Sequence, residues 1–131
     1  MRHLSSDQAD FSAATICYGT RKIIVFNQNH PPGRTVNSLA HELSHIILEH
    51  PAKPAIGTGG CLLWNKDHED EADWLAGAIL VPRDGAFHWL RSGADPRSVA
   101  QIFGVSAALF NWRTNQTGVR HQLIRMGLPS L

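Results

Sequence analysis

The amino-acid sequence predicts an α+β fold, a small antiparallel sheet packed against helices, within a single domain spanning residues 1–131. Three observations carry this. Two β-branched runs flank a Gly-centred turn at Gly19-Thr20. The stretch "HELSHIILEH", residues 41–50, has helical periodicity and sets its apolar residues opposite its histidines. From residue 69 onward the sequence reads mainly as a succession of helices. A chain of 131 residues suits one compact domain, and 43% hydrophobic content can build a modest core.

The elements follow in order. Residues 1 to 11 are polar and carry no regular pattern. "ATICY" and "KIIVF", Ala14–Tyr18 and Lys22–Phe26, read as two strands of a hairpin. "NQNHPPGR" is a loop, with two prolines and a glycine. A helix is expected to begin near Thr35 or Asn37, either of which can cap it, and to run to about His50. "PAKPAIGTGG" ends it and forms a long connection, and "CLLWNKDH" fits either a short strand or an irregular segment. A second helix is expected over Glu69–Val81, stopped by Pro82, and a third over Arg83–Ser92. "PRSVAQIFGVSAALFNWRTNQTG" reads as two short helices around Gly104, with Ser106 capping the second. The tail from Val119 to Leu131 carries no decisive pattern.

Composition excludes several classes of function. The net charge is +1 with histidines neutral, and charged residues make up 18%. A general attraction to nucleic acid or acidic lipid is therefore not expected. Cys17 and Cys61 do not form a disulfide framework, and Cys61 lacks a Cys or His partner at zinc-finger spacing. The start of the chain has no apolar signal core, and no run approaches the roughly 20 apolar residues of a membrane helix. A cytoplasmic protein with reduced thiols is expected. Eight histidines is a high number for this length.

Two of them sit in His41-Glu42-Leu43-Ser44-His45. With His41 at zero and about 100° per residue, His45 falls near 40° and Glu42 near 100°. Leu39, Leu43, Ile46 and Ile47 fall between roughly 140° and 240°. That stripe is expected to pack on the sheet while both imidazoles look away from it. Histidines at i and i+4 lie one turn apart and can both reach one Zn²⁺ at about 2.0–2.1 Å. Glu42, a third of a turn round, can reach a water beside the metal and serve as general base. A bare HExxH also occurs on ordinary surface helices. His50 falls near 180° by the same count, away from the metal.

A catalytic zinc site usually takes three protein ligands. The acidic cluster "DHEDEAD" supplies His68, Glu69, Asp70, Glu71 and Asp73 at the start of an apolar helix. Acidic residues there also complement the helix dipole with no metal at all, and His68 alone reads as a solvated loop histidine.

Taken together, "LAHELSHIILEH" and "EDEADWLAGAILVP" resemble the ImmA/IrrE family of metallopeptidases. The family pattern pairs an A-HE-x-x-H helix with a later E-x-x-A-N/D-x-F/L-A-x-x-L-L/M-x-P helix. Here it falls on Ala40, His41, Glu42 and His45, then on Glu69, Ala72, Asp73, Leu75, Ala76, Ile79, Leu80 and Pro82. Leu75 stands where Phe is usual and keeps the apolar role. "VAQIFGVSAALFNWR" resembles the small helical C-terminal part of the family's catalytic domain, so the likeness covers about residues 20 to 113. It implies a thermolysin-like arrangement in which the HExxH helix is followed by a helix that supplies a Glu ligand. It further implies a zinc endopeptidase acting in the cytosol on a narrow range of substrates, typically helix-turn-helix transcriptional repressors. Mn²⁺ or Fe²⁺ can occupy such N/O sites in cells.

Helical phase then separates the acidic candidates. With Glu69 at zero, Ala72, Leu75, Ala76, Ile79 and Leu80 define a buried arc centred at about 310°, and Glu69 lies inside it. Glu71 falls near about 200°, on the solvent side. Small Ala72 and Ala76 flank Glu69 and allow close approach of the two helices. Asp73, near about 40°, can accept the second ring N–H of a ligand histidine. The expected set is His41, His45 and Glu69 on the metal, Glu42 as base and Asp73 behind a histidine.

"AQIFGVS" has helix-turn-helix spacing. Its second helix offers only Arg113, Asn111 and Gln116 to a duplex, so packing or substrate docking is expected there and direct DNA binding is not. Trp64, Trp74, Trp89 and Trp112 are core or cleft-wall candidates. The alternatives to a protease are a non-enzymatic antirepressor or a toxin-type protein on the same metal-binding fold. Glu42 argues against pure binding, which needs no base.

Overall fold

A computed structural model describes residues 11–51 and 65–128. The polar stretch up to residue 10, the connection over residues 52–60, Cys61 and Trp64 lie outside the described residues. Among those described, the fold is α+β, with one two-stranded antiparallel sheet and six helices.

Strands β1 (Ala13–Tyr18) and β2 (Arg21–Phe26) pair from Ala13↔Phe26 to Tyr18↔Arg21. Gly19 takes φ 60° in the two-residue loop, a conformation that glycine adopts without steric cost. Directly paired residues share a face. Thr15 and Ile24 therefore look one way, and Ile16 and Ile23 the other.

Helix α1 spans Pro32–Ile47 and starts earlier than expected. Pro32 sits in the first turn, where its fixed φ suits the helix and its missing N–H costs nothing. Thr35 is inside the helix, and its hydroxyl donates to the His30 carbonyl at 3.4 Å. The buried face of α1 also differs from expectation. Leu43 and Ile47 remain 41% and 55% exposed, whereas Ala40 and Ser44 are buried. The reason is the neighbour. α2 (Lys66–Leu80) packs along α1 more extensively than any other helix does, and it too buries small residues, Ala72, Ala76 and Gly77. The Ser44 hydroxyl donates to the Ala40 carbonyl at 2.7 Å, so this buried hydroxyl is paired within α1.

α2 begins three residues before the expected Glu69. Asn65 caps it, with Oδ1 accepting from the N–H groups of Asp67 at 3.0 Å and His68 at 3.3 Å. Glu69 is thus within the first turn and its direction is set by helical phase. His68, expected in a loop, is helical for the same reason. At the far end of the helix, a Cβ on Gly77 would lie 2.7 Å from the Trp112 ring.

Pro82 ends α2 and precedes α3 (Arg83–Arg91). α4 (Pro96–Ile102) and α5 (Ala107–Gln116) flank Gly104, with Ser106 capping α5. The tail forms α6 (Val119–Arg125). The main core lies among these C-terminal helices and includes Val81, Leu90, Val99, Phe110, Val119 and Leu123. α6 has little helical signal of its own length, and Val119 and Leu123 anchor it there. Arg113 is buried on α5, where its Nε donates to the Val81 carbonyl at 3.3 Å and its guanidinium lies 5.0 Å from the Trp74 ring centroid. Burial lowers its pKa from the ordinary value. Asn111 accepts from Arg120. Arg113 and Asn111 thus each have a partner within the chain, Arg113 in the core and Asn111 at the surface. Among the described residues, no helix is long and apolar enough to cross a membrane.

Candidate metal centre

The α1–α2 seam brings three donor atoms together. His41 Nε2 and His45 Nε2 lie 3.0 Å apart, because residues one turn apart on α1 share a face. Glu69 reaches in from α2, its Oε2 3.1 Å from His41 Nε2 and 3.6 Å from His45 Nε2. Ligands at about 2.0–2.2 Å from a tetrahedral ion are separated by roughly 3.3–3.6 Å. The triangle of His41, His45 and Glu69 fits such an ion, and these three could hold one. Their side chains are 21%, 14% and 16% exposed, shielded but still within reach of solvent.

The outward-facing ring nitrogens are also engaged. His41 Nδ1 lies 2.8 Å from Asp73 Oδ1. Asp73 is one turn beyond Glu69 on α2, so one helix supplies both the inner and outer carboxylates. His45 Nδ1 lies 2.8 Å from His50 Nδ1, and His50 Nε2 lies 2.8 Å from Glu71 Oε2. His50 stays out of the donor triangle, as expected, but it is not on the far side of the helix. α1 has already ended, and the chain turns back beneath His45. Glu71 is solvent-exposed, as its phase requires, yet its carboxylate is in contact with His50. His68 stacks on His50 at 4.3 Å with the rings 15° apart. Four of the eight histidines therefore lie side by side.

Glu42 projects beside this cluster, and the Thr15 hydroxyl of β1 donates to its Oε2 at 2.6 Å. It borders two clefts. One, of about 180 Å³, also includes Thr15, Lys22, His45 and His50. The other, of about 370 Å³, includes Phe11, Asn37, Ser38 and His41. Among the described residues that border the two clefts, Lys22 is the one lysine or arginine. Lys66, at the start of α2, pairs with Asp70, whose carboxylate holds the ammonium above its ordinary pKa. This pair is exposed and contributes little stability.

Sequence reasoning missed Thr15 and His50. Nothing in "ATICY" marks Thr15, because its role depends on the sheet's position over α1. For His50 a signal was present. Pro51 follows it, and prolines commonly lie just beyond a helix end, so helical phase should not have been carried to residue 50.

No curated protein and no solved structure matches the chain. The family model of the IrrE N-terminal-like domain, a peptidase family, matches residues 2–115. With that match over most of its length, the chain belongs to the IrrE N-terminal-like peptidase family.

Proposed function

We propose that this protein is a zinc-dependent endopeptidase of the HExxH-plus-Glu type that cleaves a small helix-turn-helix transcriptional repressor. The observation that carries the catalytic part is the convergence of His41 Nε2, His45 Nε2 and Glu69 Oε2 with Glu42 alongside. The family supports peptidase chemistry, and the resemblance to ImmA/IrrE enzymes suggests the substrate.

His41, His45 and Glu69 would hold a divalent cation, which when bound would supply Lewis-acid polarisation of the scissile carbonyl and a lowered water pKa. The remaining work belongs to the chain. Glu42 takes the proton from the attacking water as the C–O bond forms. It delivers that proton to the amide nitrogen as the C–N bond breaks. Thr15 holds Oε2 of Glu42 and leaves Oε1 to face the water. Asp73 would hold His41 in the tautomer that leaves the Nε2 lone pair free for a cation. The two clefts flanking Glu42 give an extended peptide room on either side of the bond to be cut.

The test is incubation of the zinc-loaded protein with a small helix-turn-helix repressor encoded beside it, with product masses as the readout. Cleavage at one bond is expected. Glu42→Gln should keep the zinc and lose about 10²–10⁴-fold in rate. A Gln variant that cuts at a comparable rate removes Glu42 from the base role. Repressor binding without cleavage by either form would replace this reading with an antirepressor.

A further inference from the structure

The two ligand histidines are supported differently, and the difference lies in how α1 ends. Leu48 is the C-cap and Glu49 takes φ 55°. The Glu49 N–H donates to the Ile46 carbonyl at 3.2 Å, and the His50 N–H to the His45 carbonyl at 3.0 Å. These are the paired bonds of a Schellman motif, in which the residue after the left-handed position usually makes an apolar contact with the residue three from the helix end. Those two residues are His50 and His45. Their rings sit 5.0 Å apart at 65°, and a hydrogen bond replaces the apolar contact. The His50 side chain is 6% exposed, enclosed by His45 and by the stacked His68.

One proton arrangement satisfies the whole chain. Metal coordination uses the Nε2 lone pair of His45, so the proton sits on Nδ1. That N–H donates to His50 Nδ1, which places the His50 proton on Nε2. The Nε2–H in turn donates to Glu71. His41, by contrast, donates directly to a carboxylate.

We propose that His50 is a positioning residue of the metal centre, orienting His45 and selecting its tautomer, with Glu71 as the anionic end of the relay. The proposal rests on the metal-centre reading above. It assigns roles to two residues outside the donor triangle, and it predicts that the Glu71 effect depends on His50.

The experiment measures Zn²⁺ affinity of the full chain by competition with a chelator, alongside thermal unfolding of the metal-free proteins. His50→Ala should weaken zinc binding about 10- to 100-fold. His50→Asn places a carbonyl oxygen where Nδ1 stood and should recover most of the loss. His50→Phe keeps the ring but no acceptor, and should not recover it. Glu71→Ala, at an exposed position that does not threaten folding, should weaken binding several-fold in the wild-type background. In His50→Asn, which cannot reach Glu71, it should have no effect. Wild-type affinity in His50→Ala would overturn the proposal, as would full affinity in His50→Phe with none recovered in His50→Asn. A wild-type protein that binds no zinc would instead overturn the metal-centre reading itself.

Discussion

Replacing Gly77 by alanine tests the link between the helical core and the metal centre. The added Cβ would lie 2.7 Å from the Trp112 ring and 3.3 Å from Arg113 Cδ. Carbon atoms meet comfortably at about 3.5–4.0 Å, so α2 and α5 must separate by several tenths of an ångström or Trp112 must rotate. Overpacking of this kind costs about 1–3 kcal/mol. Alanine recovers about 1 kcal/mol of helix propensity over glycine. The balance is a loss of about 1 kcal/mol, or a fall in melting temperature of roughly 3–5 °C for a chain of this size. Glu69 lies about two turns up the same helix, so a displaced α2 should also weaken zinc binding. Calorimetry of the metal-free protein and chelator competition measure the two effects. An alanine variant that melts higher than the wild type would refute the tight α2–α5 contact.

Other perturbations probe the site directly. Asp73→Ala should weaken zinc binding by roughly tenfold, the low end of the usual range, because its carboxylate is 59% exposed and partly screened. Glu69→Gln should weaken it more, since it exchanges a charged ligand for a neutral one. Undiminished zinc affinity by chelator competition in either variant would contradict its assignment. Thr15→Val keeps the shape and removes the hydroxyl that holds Glu42. It should leave zinc content unchanged and slow the proposed cleavage of a repressor roughly tenfold, about 1.4 kcal/mol in the barrier. An equal rate would mean that Glu42 needs no such support.

Local signals determined a good deal of this protein. The hairpin is legible because β-branched runs bracket a glycine, and the helix boundaries at Pro82 and Ser106 are legible because these residues act within a few positions of themselves. The Asn65 cap is equally local, but the expected start at Glu69 passed over it. The convergence of His41 with His45 follows from 3.6 residues per turn. Glu69 follows from the same periodicity once α2 is known to start at Lys66. Tertiary structure decided what no local count could reach. Ala40 and Ser44 are buried instead of Leu43 and Ile47, because close packing of α2 along α1 requires small side chains at the seam. Thr15 finds Glu42 only because β1 packs against α1. His50 meets His45 because Glu49 adopts a left-handed conformation. That conformation costs a residue with a Cβ roughly 1–2 kcal/mol; the paired bonds from the Glu49 and His50 N–H groups to the Ile46 and His45 carbonyls hold it, with the contact of His50 to Glu71 of α2 beside them.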